Sequence, residues 1–159
     1  MVMGDLPVET QVLVLGAGPG GYAAAFRAAD LGLDVTLVSD EARPGGVCLN
    51  RGCIPSKALL QLAELRATAA EAAEHGLDFG TPSWDLEAVR GWKDNVVDRL
   101  TKGLVKLCDE RGVQWIQGRG RFAGPDRLLL KGSDYSSVSF EHAIVATGSR
   151  PMAPPGLAI

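Results

Sequence analysis

No apolar run in this sequence approaches the ~18 residues that a membrane-crossing helix needs, so no span is expected. A basic excess is missing too. The formal net charge of −3 and a pI near 5.4 argue against nucleic acid or an anionic membrane as a partner. The first stretch, Met1 to Gln11, carries Asp5 and Glu9 and no basic region. Neither a signal nor a transit peptide is therefore expected, and the chain reads as cytoplasmic. Metal-ligating side chains are sparse, with 2 histidines and 3 cysteines. No internal repeat or low-complexity tract is visible. In a cytoplasmic setting thiols are kept reduced, so a close cysteine pair points to catalysis or metal binding rather than to a structural staple.

What is present is organised as one nucleotide-binding unit. A chain of 159 residues buries one proper core, which implies one domain or one incomplete domain. Gln11 to Leu15 is an apolar run of the kind a buried parallel strand shows, and Asp34 to Val38 is a second. Between them Gly20 to Leu31 reads as a helix stopped by Gly32. That interval suits a β-α-β unit with a right-handed crossover. Arg43 to Gly52 reads as a Gly-rich loop entered through Pro44. A long helix is expected from Ile54 to Glu74, with Pro55 in its first turn and His75-Gly76 at its end. A second helical pattern runs from Asp85 to Arg111, capped by Ser83 or Asp85 and interrupted at Gly91 and Gly103. Val113 to Ala146 suggests a small antiparallel excursion and then a return strand, His142 to Ala146.

The turn after the first strand reads Gly16-Ala17-Gly18-Pro19-Gly20-Gly21, a G-x-G-x-x-G placed between a strand and a helix. Gly16 permits the tight turn, Gly18 lets backbone approach a pyrophosphate, and Gly21 lets the helix pack on the sheet. The helix N-terminus then faces the phosphates. The fold expected is thus α/β and Rossmann-like, with a parallel sheet, flanking helices and the antiparallel excursion. The fingerprint also wants an acid about 20 residues past the last glycine, for the ribose hydroxyls. Asp40 stands near that distance, whereas the pattern of related proteins puts the acid at Ser39. Both stay candidates.

Further on, Gly45-Gly46-Val47-Cys48-Leu49-Asn50-Arg51-Gly52-Cys53-Ile54-Pro55-Ser56-Lys57 sets two cysteines in one short segment. Two thiols this close can form a local disulfide. Cys53 sits where a helix starts, which favours the thiolate. Cys48, in the loop, is expected to be the one more accessible to an external disulfide. A zinc site needs about four ligands. Only the scattered Cys108, His75 and His142 could complete one, so no metal is expected. Cys108 reads as a core residue in a helical apolar pattern, and His75 and His142 as cap and surface histidines.

This cysteine segment resembles the redox-disulfide motif of the class I flavin disulfide oxidoreductases. Leu49 and the ending Ile54-Pro55-Ser56-Lys57 are most similar to the dihydrolipoamide dehydrogenases. The resemblance extends from Gln11 to Ala146-Thr147-Gly148-Ser149-Arg150-Pro151. It implies that Gly16, Gly18, Gly20 and Gly21 hold FAD, together with Ser39 or Asp40, Gly45, Gly46, Val47, Cys48 and Lys57. It implies backbone near the adenine at Gly120, and Thr147-Gly148-Ser149 near the FAD pocket. By the same resemblance Cys53 lies against the isoalloxazine as the charge-transfer thiolate and Cys48 is the interchange thiol. Lys57 brings positive charge to the reactive edge of the flavin.

The resemblance implies FAD-dependent oxidation of protein-bound dihydrolipoamide with NAD as the final acceptor. Its partners would be the lipoyl domains of 2-oxoacid dehydrogenase or glycine cleavage complexes, and a second copy in a homodimer. Residues 1–150 would form the FAD-binding domain and 151–159 the exit linker toward an NAD domain. No second G-x-G-x-x-G is present, so the NAD site is not expected within this chain. Nor is the Gly-Asp segment that returns to FAD, or the family's C-terminal His-Glu pair. The chain by itself is accordingly expected to hold FAD weakly or not at all and to lack NAD-linked turnover. The alternatives are a mercuric or glutathione reductase-like enzyme and a stand-alone thiol-disulfide module.

Overall fold

An apolar run buried on both faces forms the spine of the sheet in the computed structural model, which describes residues 6–150 together with 152, 154 and 156. Strand β1 (Leu6–Leu15) leads into α1 (Pro19–Asp30) and β2 (Val35–Ser39). A short helix α2 (Gly46–Asn50) and the long helices α3 (Cys53–Glu74) and α4 (Leu86–Glu110) follow. The chain closes with β3 (Gln114–Gln117), β4 (Arg119–Phe122), β5 (Arg127–Lys131) and β6 (Tyr135–Val145). The six strands lie in the order β3-β2-β1-β6-β5-β4. Strands β3, β2, β1 and β6 run parallel, while β5 and β4 are antiparallel additions. The glycine turn after β1 therefore sits beside the C-terminal ends of β2 and β6, where open α/β sheets place their ligands.

Alternation along β1 divides the core in two. Val12 and Val14 pack with Ala25 and Ala28 of α1, Val35 and Leu37 of β2, and Cys108 of α4. Leu13 turns the other way, onto Val38, Ile116, Leu128 and Val138. Such burial on both faces explains why these strands read as continuous apolar runs. Leu13 is 0 % exposed, and burying a side chain of that size contributes about 1.5–3 kcal/mol. Alanines on the inner side of α1 let the helix lie close to the sheet. Pro19 occupies its first turn, and Gly32, with φ +84°, follows its end. Among the described residues no helix is long and apolar enough to cross a membrane.

Several expected boundaries shift. The first strand begins at Leu6 rather than Gln11, and the return strand runs from Tyr135 rather than His142. The serines of Tyr135–Phe140 disguise that strand, but alternation turns Val138 and Phe140 inward. Ser137 is buried beside them and its Oγ accepts from Arg127 Nη2 at 3.3 Å. Strand β3 pairs parallel with β2 instead of joining the antiparallel excursion, which reduces to β4 and β5. Gly91 and Gly103 do not interrupt α4. A glycine inside a helix costs about 1 kcal/mol, and the buried Val97, Thr101 and Cys108 hold the helix against that cost. Asp85 caps α4, its carboxylate accepting from Glu87 N and Ala88 N at 3.0 Å each. The linker expected over 151–159 lies largely outside the described residues.

Candidate functional site

Three glycine contacts assemble the site from backbone alone. Gly16 turns the chain at φ +105°, and a Cβ there would fall 2.2 Å from the carbonyl oxygen of Ala146, just past β6. A Cβ on Gly21 would lie 1.7 Å from the carbonyl oxygen of Gly16. Gly46, at φ +60°, approaches Gly18 so closely that a Cβ would sit 2.6 Å from the Gly18 Cα. Gly45 N donates to Ala17 O at 2.8 Å and Gly16 N to Val38 O at 2.7 Å. The segment that carries Cys48 is thus docked directly on the glycine turn. The loop expected over Arg43 to Gly52 contains a helix for this reason. Glycines at 45 and 46 turn the chain into α2, and Leu49 is buried beneath it.

These segments line a cleft of about 890 Å³. Its walls include Gly16, Gly18 and Gly20, then Ser39 and Asp40, then Gly46, Val47 and Cys48, then Gly120, and finally Thr147, Gly148 and Ser149. Among the described residues α1 has neither a side-chain cap on its N-terminus nor an acid in its first turn. That leaves amide donors and a positive helix end facing an anion site. Ser39 is buried, and its Oγ accepts from Glu41 N at 3.3 Å. Asp40 is exposed on the same wall, so both candidates for ribose recognition reach the cleft. At Gly120 the missing side chain has a packing reason as well: a Cβ would lie 2.6 Å from Leu128 Cδ2 and 3.0 Å from Leu15 Cδ1.

Four of the residues singled out in the sequence do not line this cleft: Gly21, Gly45, Cys53 and Lys57. Gly21 and Gly45 are buried in the contacts that shape it. Cys53 begins α3 and is exposed, whereas Cys48 is half-buried and faces the cleft. The order of exposure is therefore the reverse of the one the sequence suggested, because Cys48 belongs to α2 and α2 is seated on the glycine turn. Glu41, Arg119 and Arg150 line the cleft without having been singled out for it. Arg119 adjoins Gly120 in sequence, and Glu41 follows Asp40. Only the pairing of strands and the course of the loop carry them to the wall.

The two cysteines interact. A hydrogen bond with the Cys53 side chain is the largest of several effects that hold the Cys48 thiol above its ordinary value. Desolvation and negative charge on Cys53 act in the same direction, while the Cys53 backbone and the positive charge of Lys57 pull it down. Since a raised value means less thiolate at a given pH, iodoacetamide should label Cys48 in the reduced protein with an inflection above the ~8.5 of a free thiol. Lys57→Met should move that inflection further up. Peptide-resolved labelling rates across pH check this, and an inflection unchanged or lowered in Lys57→Met would contradict it.

Comparison with known proteins adds to this geometry. The chain matches the family model described as pyridine nucleotide-disulphide oxidoreductase over residues 10–158. It is 50 % identical over 160 aligned residues to a protein named dihydrolipoyl dehydrogenase from Halobacterium salinarum, covering 98 % of this chain and 33 % of that protein. It is 49 % identical over 146 residues to the dihydrolipoyl dehydrogenase of Vibrio parahaemolyticus, covering 91 % and 31 % respectively. The protein of the same name from Buchnera aphidicola is 42 % identical over 152 residues, covering 94 % and 32 %. The chain thus spans about a third of the length of these curated relatives.

Proposed function

Because this chain belongs to the pyridine nucleotide-disulphide oxidoreductase family, we propose that it supplies the FAD-binding, redox-disulfide part of a dihydrolipoamide dehydrogenase. The observation that carries this reading is the seating of Gly46 on Gly18, which sets Cys48 and the phosphate-binding glycines on one cleft. Residues 1–150 then form the FAD-binding unit and 151–159 lead toward an NAD-binding region.

The residues present fit FAD. Gly16, Gly18 and Gly20 offer backbone without side chains, and the uncapped start of α1 offers donors to a pyrophosphate. Ser39 and Asp40 offer hydrogen bonds to ribose hydroxyls, and Gly120 and Thr147-Gly148-Ser149 complete the wall. FAD held there would supply two-electron redox chemistry between the Cys48–Cys53 pair and NAD.

The chain's own part is thiol-disulfide exchange. With Cys48 and Cys53 joined, a thiolate of the dihydrolipoyl group attacks Cys48 Sγ, the Cys48–Cys53 bond breaks, and Cys53 leaves as a thiolate. The second lipoyl thiol, on losing its proton, attacks the lipoyl sulfur of the mixed disulfide. Lipoamide is released with Cys48 as thiolate, so two electrons have entered the protein pair and two protons have been set free. The leaving sulfur, Cys53, heads the 22-residue α3 and is exposed there. Lys57, one turn on, adds positive charge felt at Cys48. The donors of the dithiol would be lipoyl domains of 2-oxoacid dehydrogenase or glycine cleavage complexes, acting on a homodimer.

A substrate panel on the intact protein tests the assignment. Dihydrolipoamide-dependent NAD reduction is the expected activity. Preferential reduction of glutathione disulfide or Hg(II) would transfer it to one of those reductases, and disulfide exchange by a colourless protein would leave only a thiol module.

A further inference from the structure

We propose that Glu41, Asn50 and Thr101 form a positioning chain that sets the redox poise of the Cys48–Cys53 pair, an inference that rests on the pair being a redox couple. Four residues separate the cysteines, Leu49-Asn50-Arg51-Gly52, and each is held. Leu49 is 7 % exposed. Gly52 packs backbone to backbone, where a Cβ would come within 3.1 Å of Val47 O. Asn50 Nδ2 donates to Glu41 Oε2 at 3.4 Å and Arg51 Nη2 to Glu41 Oε1 at 2.5 Å. Asn50 Oδ1 in turn accepts from Thr101 Oγ1 at 3.3 Å.

The two ends of this chain are themselves fixed. Thr101 is 5 % exposed, on the packed face of α4. The side chain of Glu41 is 25 % exposed at the cleft rim, and the hydroxyl of Ser39 holds its backbone amide. Glu41, two residues past the end of β2, and Thr101 of α4 thereby both hold the segment between the two thiols. Arg51 and Asn50 share one carboxylate, so Glu41 anchors the last residue of α2 and the residue that follows it.

Holding that segment still raises the effective concentration of one sulfur at the other, which favours the closed disulfide over the open dithiol. In a dithiothreitol buffer the exchange balances. Oxidised dithiothreitol takes two electrons and two protons from the protein dithiol, and the Cys48–Cys53 bond forms. The ratio of the two protein forms reads the effective concentration directly. A tenfold loss of that concentration raises the potential by about 30 mV for a two-electron couple.

The measurement is the midpoint of Cys48–Cys53 oxidation in the intact protein across dithiothreitol redox ratios, read by alkylation and mass of the peptides. Thr101→Val removes one neutral hydroxyl and alters no charge near the sulfurs. It is expected to make the disulfide three- to tenfold easier to reduce, with Thr101→Ser restoring the wild-type midpoint. Glu41→Gln, at the rim, is expected to shift it about tenfold and carries the decision if Thr101→Val does not fold. Midpoints of Thr101→Val and Glu41→Gln within twofold of wild type would overturn the positioning role. Failure of the wild-type pair to form a disulfide at any ratio would instead overturn the redox reading beneath it.

Discussion

Replacing Cys53 by serine is expected to lower dihydrolipoamide oxidation by the intact protein a thousandfold or more while leaving its stability nearly unchanged. The two halves of that expectation come from different observations. Cys53 is exposed at the start of α3, so exchanging sulfur for oxygen disturbs no packing, and substitutions of that kind fall within about ±0.5 kcal/mol. Chemically the change is total. A serine cannot close a disulfide with Cys48, and losing one member of a catalytic pair costs about as much as losing the set. Cys48→Ser is expected to be equally inactive. Steady-state rates beside thermal melts check both claims, and a Cys53→Ser enzyme within tenfold of wild type would refute the relay.

Gly21→Ala should do the reverse, destroying the site through its scaffold. The added Cβ would stand 1.7 Å from the carbonyl oxygen of Gly16, a contact with backbone that no side-chain rotation relieves. Either α1 moves off the sheet or the turn at Gly16 opens, and both break the amide array that faces the cleft. A loss of about 3 kcal/mol is expected, at the upper end of the overpacking range, with loss of bound flavin. Gly20→Ala is the paired control. Its Cβ would meet nothing nearer than Ala146 Cβ at 4.0 Å, and alanine is preferred over glycine in a helix by roughly 0.5–1 kcal/mol. Denaturant midpoints should fall for Gly21→Ala and hold or rise for Gly20→Ala. Equal midpoints would mean that the turn tolerates side chains at both positions.

The parts of the fold legible in the sequence were those whose signals are local. Strand β1, helix α1, strand β2 and the glycine turn between them each announce themselves by an apolar run, a stop or a spacing, and α3 and α4 appear by their length. The parts that were not legible depend on what packs against them. Helix α2 hides in a Gly-rich stretch because its stability comes from the buried Leu49 and from its docking on Gly18, not from helix propensity. Strand β3 hides because four residues cannot declare whether their partner is parallel. The near half of β6 hides behind serines that alternation makes tolerable in a strand with Val138 and Phe140 turned inward.

The same distinction holds at the cleft. Glycines and cysteines were readable because few residue types can occupy a close backbone approach or a thiol pair. Glu41 was not, since an acid after a strand is commonplace, and its value rests on reaching Asn50 and Arg51, nine and ten residues on. The exposure of the two thiols is illegible for a related reason: a Gly-rich stretch reads as an open loop, while Cys48 lies in α2 against the glycine turn.

In the function proposed above, the thiol pair and the glycine cleft serve one flavin. Anaerobic absorbance titration of the purified intact protein with less than one equivalent of dihydrolipoamide tests it most directly. A yellow protein is predicted, with a long-wavelength band that grows on partial reduction and is missing from the Cys53→Ser variant. A colourless protein, or a bound flavin whose spectrum responds identically with and without Cys53, would contradict it.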